Sequence, residues 1–336
     1  MPAPSSAIFG FLGHALSVEE IDFFTRVQPW GYILFGRNID NAAQMRALTA
    51  SIRAISGRKN VPIFIDQEGG RVQRIKAPLA PLYPTGRAIG EIYKANKKKG
   101  LRAAWLMSRL HAFDLAAYGI NADCLPVLDV PVAGAHDVIG DRAYSHDPSE
   151  VAEIGMAAAE GLVAGGVLPV IKHIPGHGRG AADSHLNLPV VETSHEELSR
   201  TDFVPFKALA HIPLAMTAHI TYTALDNKAP ATLSKKVIRK IIRKEIGFDG
   251  LLMSDDVSMK ALSGDFAVRT GAILRAGCDI ILHCNGDMAE MVAVAASIGP
   301  LKGKSLKRAK RALKWLHKGK EANEGALREE FAAIFN

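Results

Sequence analysis

Cysteine is scarce in this 336-residue sequence: Cys124, Cys278 and Cys284 are the only three, and no Cys-x-x-Cys spacing occurs. So sparse and odd a set excludes a disulfide framework and a cysteine-rich zinc module, and it suits a reducing compartment. Long apolar runs are missing too. No segment approaches 18 uncharged apolar residues, so no membrane-spanning helix is expected. No lysine or arginine precedes Arg26, which leaves the apolar stretch from Ala7 to Leu16 without the basic flank of a secretory signal. A cytoplasmic location follows as the expectation. Neither a low-complexity linker nor an internal repeat marks a boundary, and one unit over residues 1–336 is expected. With 48 % hydrophobic and 22 % charged residues, the composition is that of a globular protein.

The formal charge is +7, yet the excess is local. The segment 301–320 holds nine Lys or Arg and no acid, leaving 32 bases against 34 acids elsewhere. Its bases alternate with Leu306, Leu313 and Trp315, as on the solvated side of an amphipathic helix. Lys97-Lys98-Lys99 with Arg102 reads the same way. No nucleic-acid motif accompanies either cluster, so neither a nucleic acid nor a membrane is expected as a partner.

Short β-rich runs alternate with helical patterns. The runs are Ala7 to Leu12, Gly31 to Phe35, Val61 to Ile65, Ile120 to Leu128, Val167 to Ile171, Leu214 to Ala218, Gly250 to Met253 and Asp279 to Leu282. Helices are predicted over Ser17 to Phe24, opened by the cap-like Ser17-Val-Glu-Glu20, and over Ala42 to Ile55 and Ser149 to Ala164. Four more are predicted over Ser194 to Ala210, Ser234 to Ile246, Met259 to Ala276 and Met288 to Ala296. Eight strand-helix repeats match a closed (β/α)8 TIM-type barrel, an α/β fold, with the residues beyond about 300 packed on it as extra C-terminal helices. An open doubly wound sheet is the alternative. It would carry a Gly-rich turn after the first strand, and Gly10-Phe-Leu-Gly13-His-Ala is not that fingerprint.

In such barrels the chemistry sits where the strands end. Run two ends in Gly36-Arg37-Asn38, run three in Asp66-Gln67-Glu68 with Arg71 and Arg74 beyond, and run four in Asp129. Run five ends in Lys172-His173, run six in His219, run seven in Ser254-Asp255-Asp256, and run eight in His283. One or two of these would serve as caps or salt bridges in any fold. So many convergent ionisable groups point instead to a polar active-site pocket.

The segment from Lys172 to His185 is the densest. His173 and His177 have the spacing of a helical zinc pair, but Pro175 and Gly176 between them forbid a regular helix, so no metal is expected there. Gly176, Gly178 and Gly180 open no helix and therefore make a turning loop, not a phosphate cradle. In an extended loop Asp183 and His185 would project to the same side, an arrangement in which a carboxylate holds an imidazole in one tautomer. Taken alone, an Asp-x-His triplet is as easily an ordinary loop pair. Asp255 and Asp256, as strand neighbours, point to opposite sides, one toward the pocket and the other toward the loops. Either alone could cap the following helix.

At these residues the sequence resembles the bacterial β-N-acetylhexosaminidases of glycoside hydrolase family 3, the single-barrel NagZ type. The motifs that carry the resemblance are Ile33-Leu-Phe-Gly-Arg-Asn38, Asp66-Gln-Glu-Gly-Gly-Arg-Val-Gln-Arg74, Pro126-Val-Leu-Asp-Val130, Ile139-Gly-Asp-Arg142, Lys172-His-Ile-Pro-Gly-His-Gly178, Asp183-Ser-His185, Met216-Thr-Ala-His219 and Ser254-Asp-Asp-Val-Ser-Met259. The resemblance implies that Asp255 is the nucleophile, His185 the acid/base and Asp183 its partner. Asp66, Arg74, Arg142, Lys172 and His173 would bind an N-acetylglucosamine ring. No cofactor is implied. The implied substrate is a small-molecule carbohydrate, N-acetylglucosamine linked to 1,6-anhydro-N-acetylmuramic acid with or without peptide, and a monomer is expected. Departures are modest: Ile174 stands where the family usually has an aromatic, Ala143-Tyr144 replaces a more usual Ser-Phe, and the loop 178–182 is rich in Gly and Ala.

Three other readings remain open at this point. Phosphate could replace water as the acceptor, because a histidine acid/base tolerates an approaching anion. The histidine-rich pocket could belong to a metal-dependent amidohydrolase, or the barrel could bind sugar without turning it over.

Overall fold

The computed structural model describes residues 3–134, 137–180, 188–259, 262 and 264–335. Its centre is a closed barrel of parallel strands: β1 (Ser5–Phe9), β2 (Pro29–Ile33), β3 (Ile63–Ile65), β4 (Ala122–Asp123), β5 (Leu168–Ile174), β6 (Leu214–Thr217), β7 (Leu251–Asp256) and β8 (Ile280–His283). Each pairs with its neighbour in sequence, and β8 closes on β1 through Ala7 opposite Ile281. Every strand falls within or across one of the eight apolar runs. Alternate residues separate two cores. Ile8, Trp30, Phe64, Val170, Met216 and Met253 point inward and fill the barrel, whereas Ala7, Phe9, Tyr32, Ile171, Ala215 and Leu252 face the helices.

The first helices follow the local signals closely. Ser17 caps α1 (Val18–Val27) in a reciprocal capping box with Glu20, and Asn41 caps α2 (Ala42–Ser56). Between β3 and β4 lie α3 (Gly86–Ala95) and α4 (Lys97–Ala117), neither of them among the predicted helices, although the basic cluster Lys97 to Arg102, read as a solvated helix face, opens α4. For α4 the reason is burial on several sides. α4 packs against α3, α5 (Pro148–Ala164) and the C-terminal helix, so it carries no single apolar stripe. The helix predicted over Ser194 to Ala210 is two, α6 (His195–Arg200) and α7 (Phe203–Ala208). Pro205 sits in the first turn of α7, where a missing N–H costs nothing, and could not lie inside a continuous helix.

Residues Val237–Glu245 form a π-helix in place of the expected α-helix. The helix predicted from Met259 begins only at Phe266, behind the Asp265 cap, and is α8 (Phe266–Ala276). α9 (Met288–Ala295) matches its prediction. The basic segment forms α10 (Gly303–Leu313) and a 3-10 turn over Lys314–Lys318, followed by α11 (Glu324–Phe335). Leu301, Ala309 and Ala312 join the inner barrel core, and the Leu301 amide donates to the Pro4 carbonyl before β1. α10 therefore closes the N-terminal end of the barrel. Arg308 pairs with Asp249 and Asp279, Arg311 with Asp249, and the lysines face solvent. Among the described residues no helix is long and apolar enough to cross a membrane.

One close approach links this packing to the strand ends. Gly86 and Gly90, one turn apart on α3, lie against the backbone of Arg142 and Tyr144, and a β-carbon at either position would run into a carbonyl oxygen there. Gly90→Ala should therefore destabilise the protein by about 1–3 kcal/mol in urea unfolding, with the Arg142 segment displaced. An unchanged midpoint would show that the helix can move away without cost.

Candidate active site

The polar strand ends converge on a cavity of about 170 Å³ at the C-terminal mouth of the barrel. Asp66, Glu68, Arg74, Arg142, Lys172, His173, His177, Asp255 and Asp256 line it, with Phe35, Val72, Ile139, Met216 and Met259 among the apolar walls. Six residues named from the sequence, Asp66, Arg74, Arg142, Lys172, His173 and Asp255, are thus gathered in one place. Asp183 and His185 lie outside the described residues.

A buried ion network forms one wall. Directly after β3 the chain folds into a small antiparallel hairpin, Gln67–Gly69 against Val72–Gln73, which brings Glu68 and Arg74 back beside Asp66. Gln67 braces it: its side-chain carbonyl accepts from the Arg74 and Ile75 amides, and its backbone N–H donates to Asp123 Oδ1. Lys172 Nζ, on β5, lies 2.9 Å from Asp66 Oδ1 and 2.6 Å from Glu68 Oε1. Arg74 reaches Asp66 Oδ2 at 3.0 Å, and Arg142 grips both oxygens of Glu68 at 2.8 Å each. Burial alone would raise the Asp66 carboxyl, but Lys172 and Arg74 outweigh it and hold the group well below the usual carboxylate range. Glu68 is held down likewise, against its burial, by Arg142 and Lys172. Burial works against the Lys172 ammonium, yet the two carboxylates keep it firmly protonated. Such a wall of fixed donors and acceptors suits the hydroxyls of a sugar.

Histidines surround the other carboxylates. Asp129, following β4, accepts from His173 Nδ1 at 2.7 Å and from the amides of His173 and His177 at 3.1 and 2.6 Å. Burial is again outweighed, here by His173 and His177, and the Asp129 carboxyl lies at about 2. Burial, with His173 nearby, pushes the His177 imidazole down to about 4, so it is neutral at pH 7. His219 contacts Thr232 Oγ1 through Nδ1 at 2.7 Å and the Asp256 carbonyl through Nε2 at 3.0 Å, and burial lowers its affinity for a second proton.

Asp255 and Asp256, at the end of β7, part ways. Asp255 Oδ1 accepts the Asp256 amide at 2.8 Å; burial favours its neutral form, but His219, His173 and that amide prevail and keep it ionised. The Asp256 carboxylate binds the Ser258 amide and hydroxyl and the Cys284 amide, tying the loops after β7 and β8. Among the described residues, no group of three or more His, Cys, Asp or Glu side chains is gathered so as to hold a metal ion.

Sequence reasoning counted Glu68, Asp129 and His219 among the strand-end groups of the pocket but gave none of them a role of its own, and it weighed His177 individually only as half of a rejected zinc pair. Their importance lies in whom they touch, which depends on neighbouring strands. The one usable signal was position immediately after an apolar run.

The depressed Asp66 carboxyl carries a pH signature. Its folded value lies below the unfolded one, so its stabilising effect is present above about pH 4 and is lost as pH falls toward the folded value. Asp66→Asn should cost about 3–5 kcal/mol at pH 7, because Lys172 loses a buried partner, and the deficit should shrink below about pH 4. Urea unfolding of both proteins across pH 3–7 checks this. A deficit that ignores pH would mean that Asp66 is not held ionised.

Comparison with known proteins places these features in a family. Residues 19–314 match the family described as "Glycosyl hydrolase family 3 N terminal domain". A "Beta-hexosaminidase" of Methylobacillus flagellatus is 38 % identical over 278 residues, covering 82 % of this chain and 78 % of that protein. A "Beta-hexosaminidase" of Pseudomonas aeruginosa is 39 % identical over 287 residues, covering 84 % and 83 %. The crystal structure of NagZ from Neisseria gonorrhoeae in complex with N-trifluoroacetyl-D-glucosamine superposes with a TM-score of 0.86 at 31 % identity, over 99 % of this chain and 96 % of that one. The barrel, its polar mouth and these matches agree: the chain belongs to glycosyl hydrolase family 3 and is a glycoside hydrolase.

Proposed function

We propose that the protein is a retaining β-N-acetylglucosaminidase that removes terminal, non-reducing N-acetylglucosamine from small peptidoglycan fragments. The observation that carries this reading is Asp255, a half-buried carboxylate kept ionised inside a cavity whose other wall is the Asp66–Lys172–Glu68–Arg142 network. Relatives named β-hexosaminidases and a structural neighbour solved with an N-acylated glucosamine support the sugar. The aglycone, 1,6-anhydro-N-acetylmuramic acid with or without peptide, comes from the family resemblance, as does a place in cell-wall recycling. In this reading residues 1–336 form one catalytic barrel with the basic helices from about 300 appended, acting as a monomer in the cytoplasm.

The chemistry proceeds in two displacements. Asp66, Arg74, Arg142, Lys172 and His173 hold the ring. An Asp255 oxygen attacks the anomeric carbon as the glycosidic C–O bond breaks, and the bonding pair stays on the departing oxygen. That oxygen takes a proton from the His185 imidazolium, which Asp183 stabilises. Neutral His185 then removes a proton from water, whose oxygen attacks the anomeric carbon and frees Asp255. Two inversions give net retention.

Three measurements bear on this. The protein should hydrolyse 4-nitrophenyl β-N-acetylglucosaminide and spare the matching glucoside, with water preferred to phosphate as acceptor; a glycosyl phosphate as the main product in phosphate buffer would make it a phosphorylase. Asp255→Asn should lower kcat by at least about 10⁴-fold while the unfolding midpoint is kept, and near-native turnover would remove Asp255 from the role. His185→Ala should slow a sugar-leaving-group substrate by about 10²–10⁴-fold and the nitrophenyl substrate far less. Equal losses on both would count against His185 as the acid.

A further inference from the structure

Asp129 belongs to no catalytic or binding role assigned so far, yet three donors converge on its side chain. Two are backbone amides, those of His173 and His177, and both meet Oδ1; the third, His173 Nδ1, meets Oδ2 at 2.7 Å. Asp129 is fully buried. Burying a carboxylate is costly, and an asparagine would satisfy the two amides as well, since they share one oxygen. What asparagine lacks is the second acceptor. Its amide nitrogen would face His173 Nδ1 as a donor, and the imidazole would have to present a lone pair there. The residue type at 129 therefore selects the proton position on the ring. The same side chain holds the start of the segment that leads to Asp183 and His185. Next to it, Gly178 runs so close to the Val130 carbonyl that a β-carbon would collide with it.

We propose that Asp129 is a positioning residue of the sugar site, acting through His173: it fixes the proton on Nδ1, so that Nε2 meets the substrate as a hydrogen-bond acceptor. This rests on the proposed glycosidase reading, in which His173 binds the ring. With its proton on Nδ1, His173 accepts from a sugar hydroxyl at Nε2, while the neighbouring Lys172 and Arg142 donate to hydroxyl oxygens, and the two kinds of contact together define which way each hydroxyl points. Asp129→Asn reverses the ring. Nδ1 becomes the acceptor toward the amide, Nε2 becomes the donor, and the sugar loses an acceptor of its proton with almost no change in volume.

The test has two arms on the full-length protein. In the first, 15N-labelled histidine spectra of the wild type at pH 7–8, with the His173 signals identified by their loss in His173→Asn, should show a proton on Nδ1 and none on Nε2. In Asp129→Asn the proton should move to Nε2. A wild-type ring protonated on Nε2, alone or as an imidazolium, overturns the proposal. This arm needs no turnover, so it is informative even if the assignment of activity fails and Asp129→Asn does not fold. In the second, kcat/KM on 4-nitrophenyl β-N-acetylglucosaminide should fall about 10–100-fold in Asp129→Asn, and the Asp129→Asn, His173→Asn double variant should be no worse than the poorer single one. Losses that multiply would show that Asp129 acts independently of His173 and would refute the role. No turnover by folded wild-type protein would refute the glycosidase reading while leaving the tautomer result to stand or fall alone.

Discussion

The ammonium of Lys172, 2 % exposed and locked between Asp66 and Glu68, is the constraint on which the site depends. Removing such a charge from water costs several kcal/mol, and the cost is offset only if every partner is in register. Asp66 comes from the end of β3, Glu68 from the hairpin that follows, and Lys172 from β5. Arg142, anchored on the far side by Glu68, rides on a segment that α3 can approach only because Gly86 and Gly90 have no side chains. Barrel closure, hairpin geometry and helix packing thus meet at one cation. A network so fully paired is rigid, and rigidity gives fixed donors and acceptors the ability to discriminate one sugar from another.

The two ends of the barrel are specialised by the same logic. At the C-terminal mouth the chain spends its buried charges on side-chain networks and leaves room for a ligand. At the N-terminal end, apolar residues of α10 extend the inner core, and its arginines neutralise Asp249 and Asp279. The local basicity of residues 301–320 is in part the outer side of a plug.

Much of this was legible in the residues. Short apolar, β-rich runs bounded by polar clusters marked all eight strands, because a barrel strand buried on both faces is short, apolar and followed abruptly by function. The cap-like Ser17 located the start of α1 because the hydrogen bonds it makes are local. α4 was missed because it is covered on several sides, and the break before Pro205 falls inside a stretch read as one helix. In the site, the ionisable strand ends could be seen, but not the partner of each: that Glu68 would grip Arg142, or Asp129 orient His173, is set by which strands lie side by side. The roles of Asp183 and His185 rested on resemblance to a family, since two residues in a loop have no periodicity to betray them.

The proposed mechanism requires a covalent bond between Asp255 and the sugar, and that bond can be trapped. A fluorinated N-acetylglucosaminyl fluoride, with a good leaving group and a ring too electron-poor for rapid release, should accumulate as an ester, and peptide mass spectrometry should find the added mass on Asp255. Hydrolysis without any adduct and with inverted product, or an adduct on another carboxylate, would contradict the assignment.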